Sequence, residues 1–143
     1  MNTEELSEEL YNTLGELLNS KQSTEIVNSL RGEYGVLRYL VLVKNNAGAT
    51  EIRKALDVVP GRMADILTSL EKKGLIERER DESDRRVVRV SITKEGVKTV
   101  AAKRDEIRAE YRGLYDLLGK KDTEDLIRLL KKVISFRQQD TDN

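Results

Sequence analysis

Cysteine and histidine are both absent from the 143 residues, and proline occurs once. Without them there is no disulfide framework, no thiolate nucleophile, no imidazole base and no common zinc site, so a metal would have to be held by carboxylates alone. The lack of cysteine suits a reducing, cytoplasmic compartment. Long apolar runs are missing too. The longest is the five residues Tyr39 to Val43, far short of a membrane-spanning segment, and the opening Met-Asn-Thr-Glu-Glu has neither the basic nor the apolar stretch of a leader. There is no nucleophile–base arrangement, glycine-rich phosphate loop or pair of acids in a catalytic setting. The expectation is a soluble, cytoplasmic, single-domain-sized chain that is not an enzyme and carries no cofactor or metal.

What is abundant is charge, 36% of residues, with 26 basic and 26 acidic groups cancelling to zero. The balance hides an asymmetry: residues 1–30 carry one Lys and six Glu, whereas residues 31–143 carry 25 basic and 20 acidic groups. A polyanion would therefore meet the middle and end of the chain.

Apolar periodicity divides the chain. Leu6, Leu10, Leu14, Leu17 and Leu18 form a stripe between glutamates on a helix of roughly 4–19, with Asn2 and Glu5 spaced as a capping box. Ile26, Val27 and Leu30 suggest a short second helix before Arg31-Gly32. Val36/Leu37 and Leu40/Val41 recur at helical spacing over about 33–44, followed by a turn at Asn45 to Gly48 and a short helix of about 49–56 with Ile52, Ala55 and Leu56 inward. Asp57-Val58-Val59 breaks it. Pro60 suits the first position of the next helix, 60–73, whose inner face is Met63, Ile66, Leu67 and Leu70 and whose stop is Gly74. The period then changes to two: Val88, Val90 and Ile92 alternate with Arg89 and Ser91, and Leu75 to Arg80 supply the partner strand of a hairpin with a charged tip, residues 81–86. Thr93 caps a long helix of about 94–117, Gly119 stops it, and a last apolar-striped helix begins near Asp122; the polar tail Gln138 to Asn143 is expected to be disordered.

Three helices followed by a two-stranded hairpin make a mainly α (α+β) winged helix-turn-helix over residues 31–93, flanked by an N-terminal helix and connector (1–30) and C-terminal helices (94–143). The leucine-rich terminal stripes suit an intermolecular bundle, so a homodimer is expected. At 100° per residue, Gly61, Asp65, Thr68, Ser69 and Lys72 face away from the core side of the third helix, with Arg62 at its flank. This polar face is the candidate reader of base edges in double-stranded DNA. Arg62 is its best single candidate, because a guanidinium matches guanine O6 and N7 bidentately. The carboxylates Glu77, Glu79, Asp81, Glu82 and Asp84 are interleaved with arginines and lack the spacing of a calcium loop.

The ordered set Leu70-Glu71-Lys72-Lys73-Gly74-Leu75-Ile76-Glu77-Arg78, Asp84-Arg85-Arg86 and Val90-Ser91-Ile92-Thr93-Lys94-Glu95-Gly96 closely resembles the MarR family of bacterial transcriptional regulators. The resemblance implies a homodimer with interlocked terminal helices, acting as a repressor at a pseudopalindromic operator. The family's wing arginine maps onto Arg86, which would enter the minor groove; Arg85 would meet phosphate, and Asp84 would orient an arginine by a salt bridge. A small aromatic or phenolic ligand is common in the family, and the tyrosines Tyr11, Tyr34, Tyr39, Tyr111 and Tyr115 either line such a site or pack in core and interface. The chain departs from the family's pattern at Val59-Pro60-Gly61, where small hydroxyl residues are common, and at Asp65, where a basic or neutral residue is. Asp65 repels phosphate but can accept a hydrogen bond from cytosine N4. The alternative is a winged-helix protein-interaction module without sequence-specific DNA binding.

Overall fold

The computed structural model describes residues 1–142, with side chains as far as Asp140. The elements run α1 (Thr3–Leu18), α2 (Lys21–Leu30), α3 (Glu33–Leu42), β1 (Ala47–Gly48), α4 (Ala49–Leu56), α5 (Pro60–Lys72), β2 (Ile76–Arg80), β3 (Val88–Ile92) and α6 (Lys94–Asp142). α6 is interrupted at Gly119, whose φ of 79° and ψ of 170° break the helical path. They form a mainly helical winged helix-turn-helix with a small antiparallel sheet and long terminal helices. Among the described residues no helix is long and apolar enough to cross a membrane.

Local chemistry sets the boundaries. Asn2 accepts the Glu5 amide at 2.8 Å while the Glu5 carboxylate accepts the Asn2 amide at 3.1 Å, the expected reciprocal cap of α1. Gly74, at φ 75°, ends α5: its amide donates to Glu71 O and that of Leu75 to Leu70 O, both at 3.0 Å. This Schellman arrangement satisfies carbonyls that the helix end leaves open. Thr93 locks the other side of the hairpin, donating its hydroxyl to Gly74 O at 2.7 Å and accepting the Gly96 amide at 3.1 Å. A Cβ on Gly96 would collide with the Leu75 carbonyl oxygen. The Thr-x-x-Gly spacing thus clamps the start of α6 onto the junction of α5 and β2.

The sheet has three strands, ordered β1-β3-β2, where the sequence reading foresaw two. β1 occupies the expected turn, pairing Ala47 with Val90 and Gly48 with Arg89. Two residues are too short for an alternating pattern, so this strand leaves no periodic trace. β2 and β3 pair from Ile76↔Ile92 to Arg80↔Val88. The tail is also corrected: helix continues through Asp142 rather than ending before Gln138, and Asn143 lies outside the described residues.

The chain divides into two compact units, residues 1–101 and 102–143. In the first, Val36, Leu37, Leu40, Ile52, Met63, Ile66, Leu67, Leu70, Ile76 and Val90 form the core, with the predicted inner face of residues 60–73 buried throughout. Val100 joins them, so the first turns of α6 belong to this unit and not to the helices beyond. Each fully buried aliphatic side chain contributes about 1.5–3 kcal/mol. Neither α1 nor α2 contains a buried residue, and Leu6, Leu10, Leu17 and Leu18 face solvent. In the second unit Leu126, Leu130, Val133, Ile134 and Phe136 are likewise exposed.

Candidate nucleic-acid interface

α5 presents its leading end and one polar side. Gly61, Arg62, Asp65, Thr68 and Lys72 are exposed, opposite the buried Met63, Ile66, Leu67 and Leu70. The side chains of Arg62, Asp65 and Lys72 have no hydrogen-bond or ion-pair partner among the described residues, and Arg62 Nη2 lies beside Gly32 at the start of α3. Ser69 departs from the expected outward face. It is half-buried, and its hydroxyl donates to Glu33 Oε1 at 2.5 Å. Lys73 reaches the same carboxylate at 2.9 and 3.1 Å. Burial works to raise the Glu33 pKa, but the hydrogen bonds from Lys73 and Ser69 and the lysine charge outweigh it and hold the carboxyl below its ordinary value. This clasp fastens the far end of α5 to the start of α3, so Ser69 positions the helix while its outward neighbours remain free.

The wing is joined to α5 by a second clasp. Arg78 of β2 grips Glu71 through Nε at 3.3 Å and Nη2 at 3.1 Å, which depresses the Glu71 pKa. The seven-residue spacing of Glu71 and Arg78 across Gly74 thereby gains a physical role: it fixes the hairpin against α5 by a fork-on-fork pair.

At the wing tip the chain is cross-linked by hydrogen bonds. Asp81 N–H donates to Val87 O at 2.9 Å and Val87 N–H to Asp84 O at 3.0 Å, while Arg80 Nη1 donates to Arg85 O at 2.8 Å. Asp84 accepts from Arg86 twice through the guanidinium, Nε to Oδ1 at 3.0 Å and Nη2 to Oδ2 at 3.3 Å, and once through the Arg86 amide at 3.1 Å. These hydrogen bonds, side chain first, hold the Asp84 carboxyl below the usual range. Arg86 nevertheless stays 91% exposed, and Arg85 projects with no side-chain partner among the described residues.

Asp81 is the residue sequence reasoning missed. It accepts the Ser83 hydroxyl at 2.7 Å, the Asp84 amide at 3.0 Å and Arg89 Nε at 3.3 Å, and these interactions, the Ser83 hydroxyl foremost, lower its pKa. An aspartate whose carboxylate turns back onto amides two or three residues ahead is an Asx-type turn former, and Asp81 to Asp84 carries that spacing. A groove of about 460 Å³ runs between the start of α4 and the wing, lined by Lys44, Thr50, Arg86 and Arg89 among others. Tyr34 and Tyr39 pack against the core and Tyr39 donates to Glu51 at 3.4 Å, whereas Tyr11, Tyr111 and Tyr115 are exposed.

A partly buried, clasped helix with a free polar side, next to a stiffened hairpin tipped by two arginines, can present cations and donors to a groove and its phosphates at once. Residues 37–88 match the MarR family model. No curated protein matches the sequence. Among solved structures, a MarR family transcription regulator is 19% identical over 99% of this chain and 95% of its own, with a TM-score of 0.74. FabT of Streptococcus pneumoniae, solved in complex with DNA, is 22% identical over 96% and 99%, with a TM-score of 0.64. PcaV of Streptomyces coelicolor, solved with its natural ligand, is 18% identical over 85% and 89%, with a TM-score of 0.65.

Proposed function

From a chain whose residues 37–88 carry the MarR family domain, we propose a transcriptional regulator that binds double-stranded DNA as a homodimer, with α5 in the major groove and the wing arginines in the flanking minor groove. One observation carries the reading: on the exposed side of α5 and at the wing tip, Arg62, Lys72 and Arg85 stand without partners, while Glu33–Lys73 and Glu71–Arg78 fasten the scaffold behind them. Unpaired cations on a braced ridge suit a polyanion.

In this reading Arg62 is the principal base reader, Gly61 allows close approach, and Thr68 and Lys72 contact the sugar–phosphate backbone. Asp65 selects cytosine N4 and rejects misplaced phosphate. Arg86, held in its fork by Asp84, enters the minor groove, where narrow A·T-rich segments concentrate negative potential. The exposed leucine stripes of α1 and of the C-terminal helix supply the dimer contacts, so the operator is pseudopalindromic with half-sites about one helical turn apart. Occupation of such a site in a promoter represses by occlusion, within the cytoplasm. A small aromatic or phenolic ligand relieves repression only as far as it binds unequally to the DNA-competent and incompetent spacings of the two recognition helices.

The test is selection of bound duplexes from a genomic or random pool at about 0.15 M salt, where nonspecific contacts are already screened. Enrichment of a two-fold symmetric site supports the reading; a folded dimer that enriches nothing counts against it. The zero net charge and Asp65 favour one rival, a winged-helix module that binds another protein. That module would show no steep loss of duplex affinity as salt rises.

A further inference from the structure

The leading end of α5 contains a residue that the fold does not explain. Val58 and Met63 occupy the positions of a hydrophobic staple, just before the N-cap and at the fourth helical residue, and both are buried, at 5% and 3% exposure. They fix the path into the helix. Val59, between Val58 and Pro60, is 67% exposed. It is the N-cap itself, with φ −68° and ψ 150° and no side-chain hydrogen bond to the helix. Valine is among the poorest N-caps because it has no oxygen to offer the open amides, and a β-branched hydrocarbon facing water gains nothing from burial. The side chain neither caps nor packs. Pro60 removes one amide donor, Gly61 has no atom within 4 Å of where a Cβ would stand, and Arg62 follows with an unpartnered guanidinium.

An exposed aliphatic group at the end of the recognition helix that enters the groove has one apolar counterpart on a base edge. The thymine 5-methyl is the only methyl group that an unmodified base pair displays in the major groove. We infer that Val59 is a specificity-determining residue that packs against the 5-methyl of one thymine in each half-site, next to the base pair read by Arg62. The inference rests on the proposed function and adds the base that the helix end selects. Val59 then supplies shape and apolar contact where a hydroxyl would supply a phosphate contact, and thymine is preferred over cytosine without any hydrogen bond being made.

The experiment uses the full chain and its selected operator. Each thymine is replaced in turn by deoxyuridine, which removes only the methyl, and the dissociation constant is read by fluorescence anisotropy at fixed salt. The expected result is one thymine per half-site whose demethylation weakens binding about fourfold, the effect of leaving one methyl unburied, and about 16-fold when both half-sites are changed. Val59→Ser abolishes that difference and leaves the salt dependence of binding unaltered, since neither side chain is charged and no counterion is released or regained at this position. This variant gains a capping hydroxyl and is expected to melt no lower than the parent, so misfolding cannot account for the loss. If no thymine shows a methyl effect, or if the effect persists in Val59→Ser, the inference is overturned while the regulator reading stands. Failure to select any operator overturns the regulator reading, and the inference with it.

Discussion

Asp84 holds Arg86 by two parallel contacts at 3.0 and 3.3 Å, yet the arginine remains almost wholly exposed. The pair is therefore weak as a stabilising element, since exposed ion pairs contribute little to folding. Its effect is geometric: the guanidinium is presented in one orientation, so that less rotamer freedom would be lost in the proposed contact with DNA.

Arg86→Ala should weaken operator binding about tenfold or more and lower the log–log salt slope by about one, with the melting temperature unchanged. Arg86→Lys keeps the charge but loses the fork, so the salt slope should be retained while discrimination between operator and random DNA narrows. Anisotropy titrations at several salt concentrations separate the two. Equal affinity of Arg86→Ala and the parent would remove Arg86 from the mechanism.

The Glu33 clasp predicts a pH dependence of stability. Its carboxyl pKa is lowered in the folded protein from an ordinary 4.5. A depressed folded pKa means that the unfolded chain takes up the proton first, so this contribution is complete above about pH 4.5 and is lost as pH falls through the lower folded value. Ser69→Ala and Glu33→Gln should each cost about 1 kcal/mol at neutral pH. Glu33→Gln should also flatten the stability–pH curve below that point, as measured by urea unfolding between pH 3 and 7. An unchanged curve would mean that the clasp does not hold α5.

Most of this architecture was legible because periodicity and punctuation agree. Met63, Ile66, Leu67 and Leu70 declare one helical face, Gly74 ends it with the positive φ the stop requires, and Val88, Val90 and Ile92 declare a strand. Elements without a period were not legible. β1 is two residues long, and the last turns of α6 have no apolar face to announce them. At the interface, helical angles put Ser69 outside, since they carry no information about the carboxylate that reaches it from 36 residues away. Asp81 looked like one acid among many because its role depends on the turn it closes.

Two glycines give opposite expectations. A Cβ at Gly61 meets nothing within 4 Å, so Gly61→Ala should raise stability by about 0.4–1 kcal/mol through a less flexible unfolded chain. A Cβ at Gly35 would collide with the backbone carbonyl of Leu30, the last residue of α2. Gly35→Ala should therefore cost roughly 1–3 kcal/mol, since backbone cannot yield as a side-chain tip can. Thermal melts decide both. A Gly61→Ala protein that melts higher but binds the operator more weakly would also place the backbone of residue 61 close to DNA.

The terminal stripes bear the last prediction. α1 has five glutamates, no basic residue and exposed Leu6, Leu10 and Leu17, while the C-terminal segment exposes Leu126, Leu130, Val133 and Ile134 among Arg128, Lys131 and Lys132. Exposed apolar stripes of this kind mark association sites, and in the proposed dimer the opposite charges around them would favour pairing of acidic with basic helices. Leu10→Glu or Leu130→Glu places a carboxylate on the apolar stripe and should convert the proposed dimer to a monomer in sedimentation velocity at micromolar concentration. The winged unit has its own core and should keep its melting transition. Affinity for the full operator should fall at least 100-fold, because a monomer loses the high effective concentration that tethers the second half-site reader, while affinity for a single half-site changes little. A Leu10→Glu chain that still sediments as a dimer would take α1 out of the interface and leave its leucine stripe without a role.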